Sequence, residues 1–147
     1  MTSTAQHYLS FRVGSQWYGI PVNAVVEVHH MMLLTALPRP RANVLGMMTL
    51  RDTVFPVLDL RLYFGIANPH YQLDTPIIAL KTASGILGLV ADDTDNIETI
   101  SEQQIVSPEG NSLPYVVGVT RLRDRLLLLL DTTLFSTEIQ LLPERQS

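Results

Sequence analysis

Leu50–Phe64 reads LRDTVFPVLDLRLYF, and Leu122–Phe135 reads LRDRLLLLLDTTLF. The two stretches align without a gap at an offset of 72 residues. Gly46 falls on Gly118, Leu50 on Leu122, Arg51 on Arg123, Asp52 on Asp124, Leu58 on Leu130, Asp59 on Asp131 and Leu62 on Leu134, and Tyr63 meets Phe135. Chance similarity between apolar runs would not reproduce the charged matches. A second echo lies upstream. FRVGSQWYGIPV (Phe11–Val22) aligns with LKTASGILGLVA (Leu80–Ala91) at an offset of 69, placing Gly19 on Gly88 and Ser15 on Ser84.

Each half of the chain thus carries the same unit. An apolar strand meets a Gly/Ser turn and a second strand; an irregular connection follows, then a strand, a Leu-Arg-Asp turn and another apolar strand. The Arg-Asp step suits a tight turn, because Asp hydrogen-bonds its own local backbone. The flanking strands then form a hairpin. A lone hairpin is marginal in water, so about five strands must curl together to bury one face and remove edges. Embedded Gly19, Gly46, Gly88 and Gly118 mark sharp bends of a small barrel. Asp59 and Asp131 are placed to cap short helical turns, Asp59–Phe64 and Asp131–Thr137. The expectation is an all-β chain of two small pseudo-symmetric barrels, with Asp59 and Asp131 in like environments and Leu58 and Leu130 in the cores of their own barrels. Strands are expected over His7–Val13, Gln16–Pro21, Val25–His30, Val44–Leu50, Thr53–Leu58, Pro76–Thr82, Ile86–Asp92, Thr94–Ile100, Val116–Leu122 and Arg125–Leu130. The segments LPRPRANV (Leu37–Val44), IANPHYQLD (Ile66–Asp74) and SPEGNSLP (Ser107–Pro114) read as loops.

Composition narrows the function. Of 147 residues, 46% are hydrophobic and 16% charged, which suits a packed core and opposes disorder. The net charge of −4 shows no basic excess, so a nucleic-acid partner is not expected. No apolar run approaches the roughly 18 residues of a membrane span, and the N-terminus lacks the basic and apolar regions of a secretory signal. With no cysteine, disulfides and thiolate metal sites are excluded. A soluble cytoplasmic protein is expected, without direct membrane insertion. Of the cationic side chains only Lys81 is a lysine; a preference for Arg suits fixed contacts to protein partners.

Motifs of chemistry are absent. There is no glycine-rich phosphate loop, G-x-S-x-G elbow or H-E-x-x-H. His29 and His30 are adjacent, so on a strand they face opposite ways and cannot grip one metal; they read as edge or surface residues. Counting a calcium loop from Asp93 puts Glu98 at position six and Gln104 at position twelve, where Gly and Glu are required. No enzyme activity, cofactor or metal is expected. Leu126–Leu130, five leucines in succession, needs cover on both faces: one face fills a barrel, and the other lies under the sister barrel, a helix or a partner. Glu27 and Arg51 are lone charges among apolar neighbours. Each must reach a rim or find a partner.

These residues resemble the CheW-like domain family. GMMTLRDTVFPVLDLRLYFG is similar to the hallmark segment G-x-x-N-L-R-G-x-x-x-P-[VIL]-[VIL]-D-[LM]-R, with Gly46, Leu50, Arg51, Pro56, Asp59 and Arg61 in register. WYGIPVNAVVEV resembles the family's Y-G-[IV]-x-[VI]-x-x-[VI]-x-E-[VI] stretch through Tyr18, Gly19, Ile20, Val25, Glu27 and Val28. ILGLVADDTDNIETIS and VGVTRLRDRLLLLLD resemble a third and fourth motif in the same order. The resemblance implies one domain over about residues 5–140, built of two five-stranded SH3-like β-barrels. Their cores are expected over about 17–66 and 76–131, with terminal segments free to cross between them. It also implies a non-enzymatic adaptor coupling the cytoplasmic signalling tip of chemoreceptors to the regulatory domain of a CheA-type histidine kinase, recruited to receptor arrays. A small-molecule or peptide-binding barrel is the rival reading, as is a paralogue serving another receptor-kinase pathway. The resemblance places the partner contact on Val25, Glu27, Val28, Leu50 and Arg51. The chain departs from the pattern at Thr49, Asp52 and the His29-His30 pair.

Overall fold

Ten short strands carry the computed structural model, which describes residues 4–39, 41–108 and 115–136. They are β1 (Ala5–Val13), β2 (Gln16–Pro21), β3 (Val25–His30), β4 (Val44–Leu50), β5 (Thr53–Asp59), β6 (Pro76–Thr82), β7 (Gly85–Val90), β8 (Asp93–Ser101), β9 (Val116–Leu122) and β10 (Arg125–Leu130). A short helix α1 (Leu60–Tyr63) follows β5, and single 3-10 turns at Val22–Ala24 and Glu102–Gln104, which the sequence pattern did not suggest, follow β2 and β8. The loop Ser107–Pro114 and the end of the second expected helical turn fall largely outside the described residues.

The strands form two five-stranded sheets, in the orders β3-β6-β7-β5-β4 and β8-β1-β2-β10-β9. Adding five to each strand number of the first sheet, and wrapping β6 and β7 round to β1 and β2, generates the second in the same order. The internal repeat is therefore a pseudo-symmetry of topology. The sheets do not follow the two halves of the sequence, however. The hairpin β1-β2 sits in the sheet of β8–β10, and β6-β7 sits with β3–β5. Boundaries at 17–66 and 76–131 therefore do not delimit the sheets. The exchanged hairpins are held by short parallel pairings, Leu127–Leu129 beside Trp17–Gly19 and Val57–Asp59 beside Gly88–Val90. The repeat glycines allow this approach: a Cβ on Gly19 would stand 2.9 Å from the Leu129 side chain, and one on Gly88 3.1 Å from that of Val57.

Each sheet curls closed in the same manner. After β3 the chain returns to β4, where Thr35 and Met47 exchange backbone hydrogen bonds of 2.9 and 2.6 Å. After β8 it returns to β9, where Val106 and Val119 do the same at 2.8 Å. Gly46 and Gly118 lie under these crossings. A Cβ on Gly46 would stand 2.6 Å from the Thr35 carbonyl, and one on Gly118 would run into Ile105.

Burial resolves into three cores. Met48, Phe55, Val57, Ile77, Ala79 and Val90 fill the first barrel. Tyr8, Ile100, Leu127 and Leu129 fill the second. The largest core lies between the barrels and draws Phe11, Ile20, Leu58, Ile78, Leu89 and Leu130 from both sheets. Leu58 and Leu130 are buried as expected, but in this shared core rather than inside their own barrels. The same alternation explains the leucine run. Leu127 and Leu129 point into the second barrel, Leu130 into the shared core with Leu128 half-buried against it, and Leu126 is exposed. The sister barrel supplies the cover.

Candidate functional site

The turn between β4 and β5 projects Arg51. Leu50 and Thr53 pair across it, and Arg51 adopts a left-handed backbone, φ +55°. Its repeat mate Arg123 does likewise, φ +52°. The turn forms where the Arg-Asp step places it, but the unusual conformation falls on the Arg. Among the described residues, no N–H donates to the Asp52 or Asp124 carboxylate to close either turn.

Strand β3 is an edge strand, paired on one side with β6. A register shift between Val25 and Glu27 sorts its side chains. Glu27 lies opposite Ala79 and His29 opposite Ile77, both residues of the first-barrel core. Val25 and Val28 lie opposite Leu80 and Ile78, residues of the shared core. The five sequence candidates therefore divide. Arg51 Nη1 reaches Glu27 Oε2 at 3.1 Å, and Leu50 packs against the first-barrel core beneath them. Val25 packs instead against the shared core, and Val28 stands exposed on that other face. The Arg51 side chain is 72% exposed and that of Glu27 34%, so the pair sits on a rim, open to a partner.

This ion pair is itself repeated. Arg123 Nη1 meets Glu98 Oε1 at 3.2 Å, joining the β9-β10 turn to edge strand β8 as Arg51 joins the β4-β5 turn to edge strand β3. Both pairs tie together the two edge strands of a curled sheet. Glu98 escaped the sequence reading because it stands 71, not 72, residues after Glu27. The two rims differ in one neighbour. Counting the same 71 residues, His29 corresponds to Ile100, which is fully buried in the second-barrel core. His29 Nε2 lies 3.4 Å from Glu27 Oε1, and its side chain is 21% exposed. That nitrogen is buried and forms no hydrogen bond of acceptable geometry. Both histidines lie on this edge strand as expected; His30 is exposed, and the pleat turns His29 inward with Glu27.

A second polar cluster sits at the junction of the barrels. Asp59 caps α1 by accepting from the Arg61 N–H at 2.9 Å, and its carboxylate is gripped by Arg61 Nε and Nη2, each at 3.1 Å. Arg61 Nη1 also donates to Asp92 at 3.2 Å and to the His70 carbonyl at 2.7 Å. Asp92 in turn accepts from the Gly14 N–H of the β1-β2 turn at 2.7 Å. The Tyr71 hydroxyl donates to Asp59, and its ring lies over the guanidinium, 4.8 Å from centroid to Cζ. Burial by itself lowers the Arg61 pKa, but hydrogen bonds and charge from Asp59 and then Asp92 outweigh it, so the pKa is raised. Burial, then the bond to Asp59, pushes the Tyr71 phenol up to about 12. Asp131 shares only the capping role, accepting from the Thr133 N–H at 3.0 Å. Asp59 is fully buried and Asp131 is not, contrary to the like environments expected of them. The reason is that Arg61 has Thr133 as its repeat mate. The pseudo-symmetry rests on the matching strand orders and crossings, not on this position.

Among the described residues no group of His, Asp or Glu is arranged to hold a metal ion, and no helix is long and apolar enough to cross a membrane. A shallow cleft of about 530 Å³ near Gln6, His7, Val22 and Ile97 is open to solvent.

Comparison with known proteins agrees with this geometry. The sequence profile of the CheW-like domain matches residues 7–139. The chain is 27% identical over 133 residues to the chemotaxis protein CheW of Klebsiella aerogenes, covering 88% of this chain and 80% of that protein. It is 33% identical over 103 residues to protein FrzA of Myxococcus xanthus, covering 70% and 64%. The crystal structure of the scaffolding protein TtCheW from Thermoanaerobacter tengcongensis superposes with a TM-score of 0.85 at 24% identity, covering 95% of this chain and all of that one. With the profile spanning nearly all of its two-barrel fold, the chain belongs to the CheW-like domain family.

Proposed function

We infer that the protein is a non-enzymatic adaptor of chemotaxis signalling that couples chemoreceptors to a CheA-type histidine kinase. The observation that carries this reading is the family match over residues 7–139. The finer assignment concerns the surfaces. The Glu27–Arg51 rim of the first barrel receives the cytoplasmic signalling tip of the receptor, with Leu50 supporting the turn from below. Val25 and Val28 contribute from the adjoining face of β3. The kinase contributes its regulatory domain, and the protein is recruited to receptor arrays through these contacts rather than by inserting into the membrane. Two features support the placement: Arg51 is held by Glu27 of an edge strand without being buried, and exposed Val26 adjoins Glu27 while exposed Val54 follows the turn that carries Arg51, apolar surface of the kind interfaces use.

The test is calorimetry of the full chain against two purified probes: the signalling hairpin of a chemoreceptor and the regulatory domain of a CheA-type kinase, both from the same genome. Binding of each, and a ternary complex of all three, is expected. Binding of neither would overturn the adaptor reading.

A further inference from the structure

We propose that His29 is a positioning residue of the Glu27–Arg51 rim, and that its protonation tunes how strongly the rim binds its partner. The inference rests on the receptor-site reading above. Its structural basis is a carboxylate shared by two neighbours. Glu27 offers Oε2 to Arg51 at 3.1 Å and Oε1 to His29 Nε2 at 3.4 Å. A carboxylate oxygen only accepts, so a favourable contact requires Nε2 to carry a proton. The nitrogen is buried and forms no hydrogen bond of good geometry, so Glu27 Oε1, at 3.4 Å, is the one acceptor within ion-pair distance of it among the described residues. The second barrel shows that the position does not need an imidazole: its equivalent, Ile100, simply packs. His29 thus replaces a core residue with a titratable one directly beneath the rim pair.

Among the described residues, His29 forms no ion pair other than that with Glu27. From β6 it faces Ile77, with Ala79 beside it opposite Glu27. From the segment after β3, Met31 and Leu34 pack on the same core. Arg51 arrives from the β4-β5 turn, with exposed Asp52 next to it. His30 points to the opposite face of β3. On the β6 side the nearest acid along the chain is exposed Asp74, next to Thr75, whose carbonyl accepts from the Met31 N–H. With neutral His29 the cluster carries one anion and one cation. With protonated His29 it carries a net positive charge, and Glu27 divides its charge between two cations. Arg51 is then freer to meet a carboxylate on the partner, for which its guanidinium is suited. Histidine is the side chain that makes this change near neutral pH.

Binding of the receptor hairpin to the full chain would be measured from pH 6 to pH 8, for wild type and for His29→Gln, His29→Leu and Arg51→Ala. Affinity of the wild type is expected to rise about two- to five-fold on going to pH 6, the size of a partly exposed charge interaction. His29→Gln, whose amide still donates but does not titrate, should bind as the wild type does at pH 8 and show no pH dependence. His29→Leu should bind more weakly at both pH values while melting no lower than His29→Gln. A pH profile unchanged in His29→Gln would overturn the proposal. If Arg51→Ala binds like wild type, the receptor-site reading fails instead. The His29 contact is then judged on the free protein by ¹⁵N spectra of the ring: an Nε2-protonated tautomer that is lost in Glu27→Gln supports it, and an unchanged tautomer refutes it.

Discussion

Replacing Arg61 by Ala removes the guanidinium that joins Asp59, Asp92 and the His70 carbonyl at the barrel junction. Asp59 has no exposure and Arg61 only 3%, so water cannot take over. Asp59 keeps two donors, the residue 61 backbone N–H and Tyr71, but loses its counter-charge. Breaking a buried pair from one side costs about 3–5 kcal/mol, because the partner is stranded. Against a typical stability of about 5–15 kcal/mol, that is a large share of the fold. It corresponds to a fall in Tm of roughly 6–20 °C for a domain of this size. Urea unfolding followed by tryptophan fluorescence at Trp17 measures the loss directly. Arg61→Lys is the milder companion: it keeps the charge but not the two-pronged grip, so an intermediate loss is expected. Arg123→Ala is the control. Its guanidinium is 64% exposed, although the Glu98 side chain is only 13%, so water can take its place and a cost of about 1 kcal/mol is expected. A loss below about 1 kcal/mol in Arg61→Ala would refute the view that this cluster locks the junction.

The same cluster sets an alkaline limit. The Tyr71 pKa is raised from 10.0 to about 12 in the folded protein, so its stabilisation is complete below pH 10 and is lost as pH rises towards 12. Tyr71→Phe should flatten the stability profile in that window, leaving the part due to Tyr18, which is also pushed up to about 12 by burial and then by Tyr115; an unaltered slope would count against the Tyr71–Asp59 bond. Leu130→Ala should lower stability by about 2–5 kcal/mol, as at other packed leucines, and an unchanged urea midpoint would show that the shared core does not depend on it. Gly118→Ala would drive a methyl group into Ile105 at the β9 crossing, with a cost of about 1–3 kcal/mol; a chain as stable as wild type would mean that the crossing yields freely.

The strands were legible because their signals are local. Val44–Leu50 and Val54–Leu58 are short apolar runs and the Arg-Asp step turns the chain between them, so the hairpin β4-β5 follows from the local pattern alone. Pairing between distant strands carries no such local mark. Nothing in Gln16–Pro21 names β10 as its parallel neighbour, so the exchange of hairpins between the halves was left open by the pattern. The same limit hid the junction cluster: Asp59 and Arg61 show as a cap and a nearby cation, but Tyr71 and Asp92 lie 12 and 33 residues from Asp59 and meet it only through the fold. At the rim, Glu27 and Arg51 stood out as isolated charges, and the structure pairs them. Val25 and Val28 could not be assigned to a face from alternation, because the register shift at Val26 breaks the period of two. His29 lies on an edge strand as the pattern suggests, but that its ring turns inward beside Glu27 was not marked in the sequence.

Receptor-hairpin affinity of Arg51→Ala against that of Arg123→Ala tests the coupling surface most directly. The two residues share a turn, a left-handed backbone, high exposure and a glutamate partner on an edge strand, so they differ chiefly in which barrel they decorate. Arg51→Ala should weaken binding by about 1–3 kcal/mol, as an interface anchor does, with a melting temperature close to wild type. Arg123→Ala should bind as wild type does. Equal affinity for wild type and both variants would contradict the assignment of the contact to the first barrel, and weakening by Arg123→Ala alone would move it to the second.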